Sequence, residues 1–468
     1  MWYRIKIKLS RATIFLFALL SAQSGMAQNP IIQTIYTADP APMVHNDTLF
    51  LYVGHDEDNA PDNNFLMREY SLFTTTDMVN WTAHPVPLKT SDVKWSLADA
   101  SAAEVIERNG TFYWYISSLN SESPGVSVGV AVSESPYGPF KDALGKALVT
   151  NNMTTFADHS WDDLDPSAII DDNGQAYLFW GNNACYWVKL NEDMISLDGE
   201  ITALDIFDES AFGPDFEEAP WMYKRNGIYY MIYASFVVED LRYATSTNIE
   251  GPWTYGGLIM PHEGKSGSNH PAVIDYKGKN YLFYHTAALP GGGDFNRSVE
   301  IEQFEYGEDG SIPEMKMGEH GVTEAVGTLN PFKRTEAETI AWSEGIKIDE
   351  NEGIGVHLTS IHHGDYLKVR EVDFGDGNVS MFKASVSSRY FGGDIELRLD
   401  TPDGDSLGTL SIPYLGDWND WRVLETEINK VSGIHDLYLI FKGREPMELF
   451  RFDYWKFTKT ITKNSHMK

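Results

Sequence analysis

Five stretches of this chain open on a residue able to do chemistry and then repeat one pattern. They are Asp39-Pro-Ala-Pro-Met-Val, Ser101-Ala-Ala-Glu-Val-Ile, Asp165-Pro-Ser-Ala-Ile-Ile, Glu218-Ala-Pro-Trp-Met-Tyr and His270-Pro-Ala-Val-Ile-Asp. Three of the opening residues, Asp39, Asp165 and Glu218, carry carboxyl groups. Cleavage of a glycosidic bond commonly uses two such groups, one to protonate the leaving oxygen and one to activate water or attack the sugar. A third acid nearby keeps the proton donor protonated by like-charge repulsion. One Asp-Pro or Glu-Ala-Pro alone reads equally well as a strand entry; three at matched positions read as a site.

These residues need elements that bring them together. Each stretch runs into an aromatic strand: Phe50-Leu-Tyr-Val, Phe112-Tyr-Trp-Tyr, Tyr177-Leu-Phe-Trp, Tyr229-Tyr-Met-Ile and Tyr281-Leu-Phe-Tyr. A second strand with polar alternation follows, as in Leu72-Phe-Thr-Thr-Thr and Leu241-Arg-Tyr-Ala-Thr, and ends at a turn closed by an aromatic such as Trp81, Phe140 or Trp253. The repeat recurs at roughly 50–65 residues, the range of propeller blades. Four strands per unit and five units predict an all-β, five-bladed β-propeller over residues 29–325, with the opening residues set around its axis. A β-sandwich with coincident turns would not keep five copies in register. No amphipathic helix is evident. Residues 318–334 read as a connector. Residues 335–460 alternate as strands, as in Ile395-Glu-Leu-Arg-Leu-Asp and Leu437-Tyr-Leu-Ile-Phe, and lack the blade signature; their length fits a jelly-roll sandwich. The tail after Thr460 is polar.

Bulk properties exclude several roles. A formal charge of −32 on 468 residues argues against nucleic acid and anionic membranes as partners. Arg4, Lys6, Lys8 and Arg11 precede a short apolar run, Ala12 to Leu20, and the small residues Gly25-Met-Ala27. This reads as a secretory signal peptide over residues 1–27, and it implies a periplasmic or secreted protein. Cys185 is the only cysteine, so no intrachain disulfide forms, and its strand-like setting reads as a buried small hydrophobe.

Thr37-Ala-Asp39-Pro-Ala-Pro, Asp163-Leu-Asp165-Pro-Ser and Glu217-Glu218-Ala-Pro-Trp-Met-Tyr-Lys resemble the three catalytic blocks of glycoside hydrolase family 43, whose members are five-bladed propellers. The resemblance extends through Ser268-Asn-His270-Pro and Gly291-Gly-Gly-Asp-Phe-Asn-Arg297-Ser-Val. Within the family it is most similar to arabinoxylan arabinofuranohydrolases and their β-xylosidase relatives, through Glu192-Asp-Met-Ile-Ser, Tyr284-His-Thr-Ala-Ala-Leu-Pro and Ser298-Val-Glu-Ile-Glu-Gln-Phe. It implies an inverting hydrolase with Asp39 as general base, Glu218 as general acid and Asp165 as the group that raises and orients the acid. Glu217 competes for the acid role, but neighbouring strand residues face opposite ways, and Glu218 keeps the register of Asp165. The resemblance also implies that Arg297 sits at the floor of the site and that His270 faces a channel cation, often Ca²⁺. Trp95, Trp221 and Phe236 are candidates for stacking on sugar, although Phe236 reads better as an ordinary blade residue. In the second repeat Asp99-Ala-Ser101 stands where relatives carry a Trp after Asp-Ala.

The C-terminal stretch is similar to a family 6 carbohydrate-binding module, on Glu336-Ala-Glu338, Gly364-Asp-Tyr-Leu, Val372-Asp-Phe-Gly, Gly416-Asp-Trp418-Asn-Asp-Trp421 and Phe452-Asp453-Tyr-Trp. That likeness implies a structural Ca²⁺ on Glu336, Glu338 and Asp453, and sugar stacking on Trp418. It departs at Thr359-Ser-Ile-His, where a partner aromatic is usual, and at Arg451, where an Asn often bonds sugar. The reading that results is a secreted exo-hydrolase releasing α-L-arabinofuranosyl groups from arabinoxylan or its oligosaccharides, with plant cell-wall glycan as partner. Its rivals are a β-xylosidase, an endo-arabinanase and a non-catalytic sugar-binding propeller; a lectin needs no matched trio of carboxylates.

Overall fold

The computed structural model describes residues 29–459 apart from 62–63, 265 and 319–320. The leader expected over 1–27 and the polar tail after Thr460 lie outside the described residues. The chain is all-β, with one short α-helix, Glu209–Phe212, and one 3₁₀ turn, Thr90–Asp92, among the described residues.

Five antiparallel sheets follow one another along the chain. Their first strands are Tyr36–His45, Ser96–Arg108, Ser167–Ile170, Phe216–Arg225 and Ala272–Tyr276. These strands touch in cyclic order, and the fifth returns to the first. The second strands are the aromatic runs. Ala176–Trp180 is buried at every residue and Lys279–Thr286 at all but its first. A strand covered on both faces needs no polar alternation, which is why these runs read as continuous hydrophobic stretches. The hairpins joining first to second strands turn at Asn109-Gly110 (φ 55° and 82°) and Asn226-Gly227 (φ 51° and 80°), the left-handed pair that matches strand twist.

Four strands per unit holds for the third and fourth sheets; the first has six, one of them from the C-terminal unit, the second five, and the fifth only three, ending with Ser298–Phe304. The segment before the first sheet and the start of that sheet's first strand lie along the fifth. Ile31 N donates to Val299 O and Thr37 N to Arg297 O, each at 3.0 Å. The start of the described chain thereby clasps its last repeat and closes the circle.

The C-terminal unit holds two antiparallel sheets of six and five strands whose order breaks sequence order. They share one core, with Leu358, Phe382 and Trp455 of one sheet and Leu367, Leu397 and Leu439 of the other all fully buried. The connector expected over 318–334 carries no strand among its described residues, and the segment after it ties the two units together. Thr335–Glu336 pairs with the strand Arg451–Lys459, and Thr339–Ile340 joins the outer edge of the first sheet beside Trp81–Ala83. Asn80 adds a two-way clamp, accepting from Arg370 N at 2.8 Å and donating to Arg370 O at 3.0 Å. Cys185 is fully buried, and burial pushes its thiol up, so it is inert.

Candidate active site

All five opening residues, Asp39, Ser101, Asp165, Glu218 and His270, line one cavity of about 120 Å³ at the axis. That is roughly four water volumes, which suits one sugar ring. Arg297 lines it too, with Phe65, Met67, Asn269 and His285.

Backbone geometry explains how the carboxylates reach the axis. Asp39 (φ 54°), Asp165 (φ 58°) and Ala219 (φ 62°) all stand in the left-handed region, each directly before a proline. The pairing slips at these places, between Ala38 and Ala41 and between Glu218 and Trp221. A bulge re-aims side chains, and left-handed non-glycine residues cost about 1–3 kcal/mol each. The register expected from sequence therefore shifts by one: Ala219, not Glu218, is equivalent to Asp39 and Asp165. Glu218 precedes the bulge and still faces the cavity. Ala219 donates its amide to the Asp165 carboxylate, tying the two sheets. In the second sheet the bulged position is Asp99 (φ 60°), two residues before Ser101.

The three carboxyl groups have different surroundings. Burial would push Asp39 up, but the Arg297 guanidinium, with Nη1 2.9 Å from Asp39 Oδ1, holds it well below the usual carboxylate range. His285 donates Nε2–H to Ser268 O at 3.0 Å, which leaves Nδ1 to accept the Asp39 amide at 3.2 Å. Asp165 is pushed well above its ordinary value by burial, then by the charges of Glu218 and Asp39. Burial lifts Glu218 to about 7 against the hydrogen bond it accepts from Asn182 Nδ2. The site thus keeps Asp39 ionised while Asp165 stays protonated and Glu218 keeps its proton up to a pH of about 7, a division of labour between base and acid.

Glu217 points elsewhere. It accepts from Asn183 Nδ2 at 2.8 Å and lines a second groove of about 440 Å³ next to the cavity, with Ile206, Phe207, Asp215, Phe236 and Val237. Phe207 is 77 % and Val237 80 % exposed, so this rim is apolar and open.

Two expected sugar platforms are corrected. Trp95 is 1 % exposed and packs where a Cβ on Gly129 would stand. Trp221 is 5 % exposed and donates Nε1–H to Val273 O at 3.1 Å across to the next sheet. Both belong to the core between sheets and neither reaches the cavity. Phe236 faces the neighbouring groove, under Arg242. Phe65 is the aromatic at the cavity, its ring 4.7 Å from the Arg297 guanidinium. Sequence reasoning also passed over Asp56, which is fully buried and accepts from Arg297 Nε at 3.0 Å and Nη2 at 2.9 Å. A buried Arg facing one carboxylate would have signalled that a second was needed.

Among the described residues no cluster of three His, Cys, Asp or Glu side chains is placed to hold a metal. His270 lies 4.0 Å from Asp165 Oδ2 and also feels the Asp39 charge, and burial pulls the imidazole down to about 4. A hard cation prefers six to eight oxygens, and at His270 the protein oxygens nearby are those of Asp165 and Asp39. In the C-terminal unit, Arg334 Nη2 lies 2.8 Å from Glu336 Oε2 and 3.0 Å from Asp453 Oδ1, supplying the positive charge there. Glu338 Oε2 is nevertheless buried without a partner. Trp418 is half-buried, with the Arg451 guanidinium 5.1 Å from its ring and the Tyr390 ring edge-on at 5.7 Å.

Residues 27–312 match the sequence model of glycosyl hydrolases family 43, and residues 336–459 that of carbohydrate binding module family 6. The chain is 31 % identical to an arabinoxylan arabinofuranohydrolase of Paenibacillus polymyxa, covering 93 % of this chain and 76 % of that protein. It is also 31 % identical to a xylosidase/arabinosidase of Bacteroides ovatus, over 59 % of this chain and 94 % of that one. A crystal structure of a family 43 arabinoxylan arabinofuranohydrolase from Bacillus subtilis in complex with cellotetraose superposes with a TM-score of 0.79 at 31 % identity, covering 93 % of this chain and 98 % of that one.

Proposed function

This chain belongs to glycosyl hydrolases family 43, an inverting family, and on that premise we propose that it removes α-L-arabinofuranosyl groups from arabinoxylan or its oligosaccharides. In this reading the five sheets are the blades of a five-bladed β-propeller, and the C-terminal unit is a jelly-roll module. Asp39, held ionised by Arg297, is the general base and draws a proton from the attacking water. Glu218 is the general acid and protonates the departing glycosidic oxygen. Asp165 raises the acid by standing close enough that the two cannot easily both ionise, and orients it through its tie to Ala219.

The observation that carries the substrate is coverage. The arabinoxylan arabinofuranohydrolase relative aligns across both units at 31 % identity, whereas the xylosidase/arabinosidase of Bacteroides ovatus aligns with little more than the first and that of Thermoclostridium stercorarium, which spans both, is only 24 % identical. A cavity sized for one ring suits exo action on a side group, and the open groove beside Glu217 suits the main chain that bears it. The β-xylosidase reading is the second, because the same three carboxyls serve a terminal xylose. Endo-arabinanase action needs a through-groove rather than a cavity that takes a single ring. The test is a release assay on wheat arabinoxylan and xylo-oligosaccharides with sugars identified by chromatography. Arabinose alone supports the proposal, and xylose alone moves the enzyme to the xylosidase reading.

The leader expected at residues 1–27 supports a periplasmic or secreted enzyme acting on plant cell-wall glycan. For the module, the partnerless Glu338 Oε2 supports a structural Ca²⁺ taken up by Glu336, Glu338 and Asp453 with displacement of Arg334. Melting in EDTA and in added calcium tests it: a calcium-dependent rise in the melting temperature that Glu338→Gln removes supports the site, and identical melts refute it. Trp418, with Arg451 over its ring, is the proposed sugar platform of the module.

A further inference from the structure

Glu239 is a fourth carboxyl at this site, and it touches no part of the cavity. It lies just before the strand Asp240–Ser246 and is 5 % exposed. Its amide donates to Gly267 O at 3.3 Å, and one carboxyl oxygen, Oε2, accepts the amide of Asn269, which pins it between the fourth and fifth sheets. Its side chain is hydrogen-bonded to Glu218. Two carboxyl oxygens in a hydrogen bond require a proton between them, so one partner is a donor. The groups facing Glu239 are Glu218 and, farther off, Asp165, both acidic. Burial first, and the Glu218 charge second, push Glu239 well above its ordinary value, so it is Glu239 that retains the proton. Asp240 and Arg242 on its own strand pair with each other at 2.9 Å.

We infer that Glu239 is a positioning residue for the acid: its neutral carboxyl donates a hydrogen bond to Glu218 that strengthens as Glu218 gives up its own proton. The inference rests on Glu218 being the general acid. As the bond from the anomeric carbon to the leaving oxygen breaks, the Glu218 proton passes to that oxygen. Water forms the new bond to the anomeric carbon and yields its proton to Asp39. Glu239 keeps its proton throughout. Before transfer its bond to Glu218 joins two neutral groups; afterwards it is O–H to carboxylate, shorter and roughly twice as strong. An interaction stronger at the transition state than in the ground state accelerates the step.

The test compares Glu239→Leu and Glu239→Gln with the unaltered enzyme on arabinoxylan and on an aryl α-L-arabinofuranoside with an activated phenol. For Glu239→Leu, kcat on arabinoxylan should fall roughly 10–100-fold, with little change on the activated phenol. The basic limb of its pH profile should move to higher pH, because the Glu218 carboxylate has lost a donor. Glu239→Gln keeps both a donor for Glu218 and an acceptor for Asn269, so its limb should stay in place and most activity should return. A limb moving to lower pH in either variant would show that Glu239 carried a charge, and overturns the inference. Equal loss on both substrates overturns it as well. If Glu239→Leu does not fold, Glu239→Gln decides on the position of its limb. Glu218→Gln, assayed alongside, separates the two levels: no leaving-group dependence there removes the acid assignment itself, whereas dependence there without it in Glu239→Leu removes only the role of Glu239.

Discussion

Arg297 Nη1 lies 2.9 Å from Asp39 Oδ1, and the rest of the same guanidinium is spent on the buried Asp56. One cation thus serves two carboxylates of the first sheet, and only Asp39 of the two lines the cavity. Asp56 fixes the Arg, and the Arg fixes the charge of the base.

The pH profile follows from the directions of the shifts. A base works ionised; with its value depressed, Asp39 stays ionised until the pH falls well below 4. An acid works protonated; Glu218, lifted to about 7, loses its proton as the pH rises through that value. The pH dependence of kcat/KM should therefore show a basic limb near 7 and no acid limb near 4. An acid limb at an ordinary aspartate value would contradict the role of Arg297.

Arg297→Met should destabilise the fold by about 3–5 kcal/mol, because it leaves Asp39 and Asp56 buried without a counter-charge. Denaturant melts measure the loss. The stabilisation is present above the unfolded aspartate value of about 3.9 and is lost as the pH falls through the depressed folded value. The difference between Arg297→Met and the unaltered protein should therefore shrink in acid. A difference independent of pH would mean that the pair contributes through packing alone.

Much of this arrangement is legible in the sequence, and the remainder fails for physical reasons. Repetition reveals sheets and axial residues because each repeat must bury the same aromatic strand. It misplaces Glu218 by one residue because a bulge at left-handed Ala219 adds a residue that no spacing rule counts. It expects a fourth strand in the fifth sheet, where the segment around Ile31 lies instead, nearly the whole unit away in sequence. Asp56 and Glu239 escape because they lie at the far ends of strands and loops, and only folding brings them to Arg297 and Glu218. Trp95 and Trp221 look like platforms because a stacking Trp and a core Trp are the same letter.

Trp95→Ala and Trp221→Ala should act on stability, at about 3–5 kcal/mol each, and leave KM on a small aryl arabinofuranoside within about twofold in whatever fraction folds. Melting and kinetics on the same preparations check both. A large rise in KM without loss of stability would return these residues to the sugar site.

Phe207→Ala tests the open rim. If the main chain rests there, KM on arabinoxylan should rise roughly tenfold, equivalent to about 1.4 kcal/mol, while the aryl arabinofuranoside is unaffected. Equal KM on the polymer would take the main chain off this groove.

The most direct test of the account is Asp39→Asn. Its side chain keeps the size and an acceptor oxygen for Arg297, which Asp56 still holds, so the fold should survive. Arabinose release from arabinoxylan should fall by roughly a thousandfold or more, the loss of a general base together with its charge. Arabino-oligosaccharide binding by calorimetry should persist. Retained hydrolysis in Asp39→Asn would contradict the account at its centre.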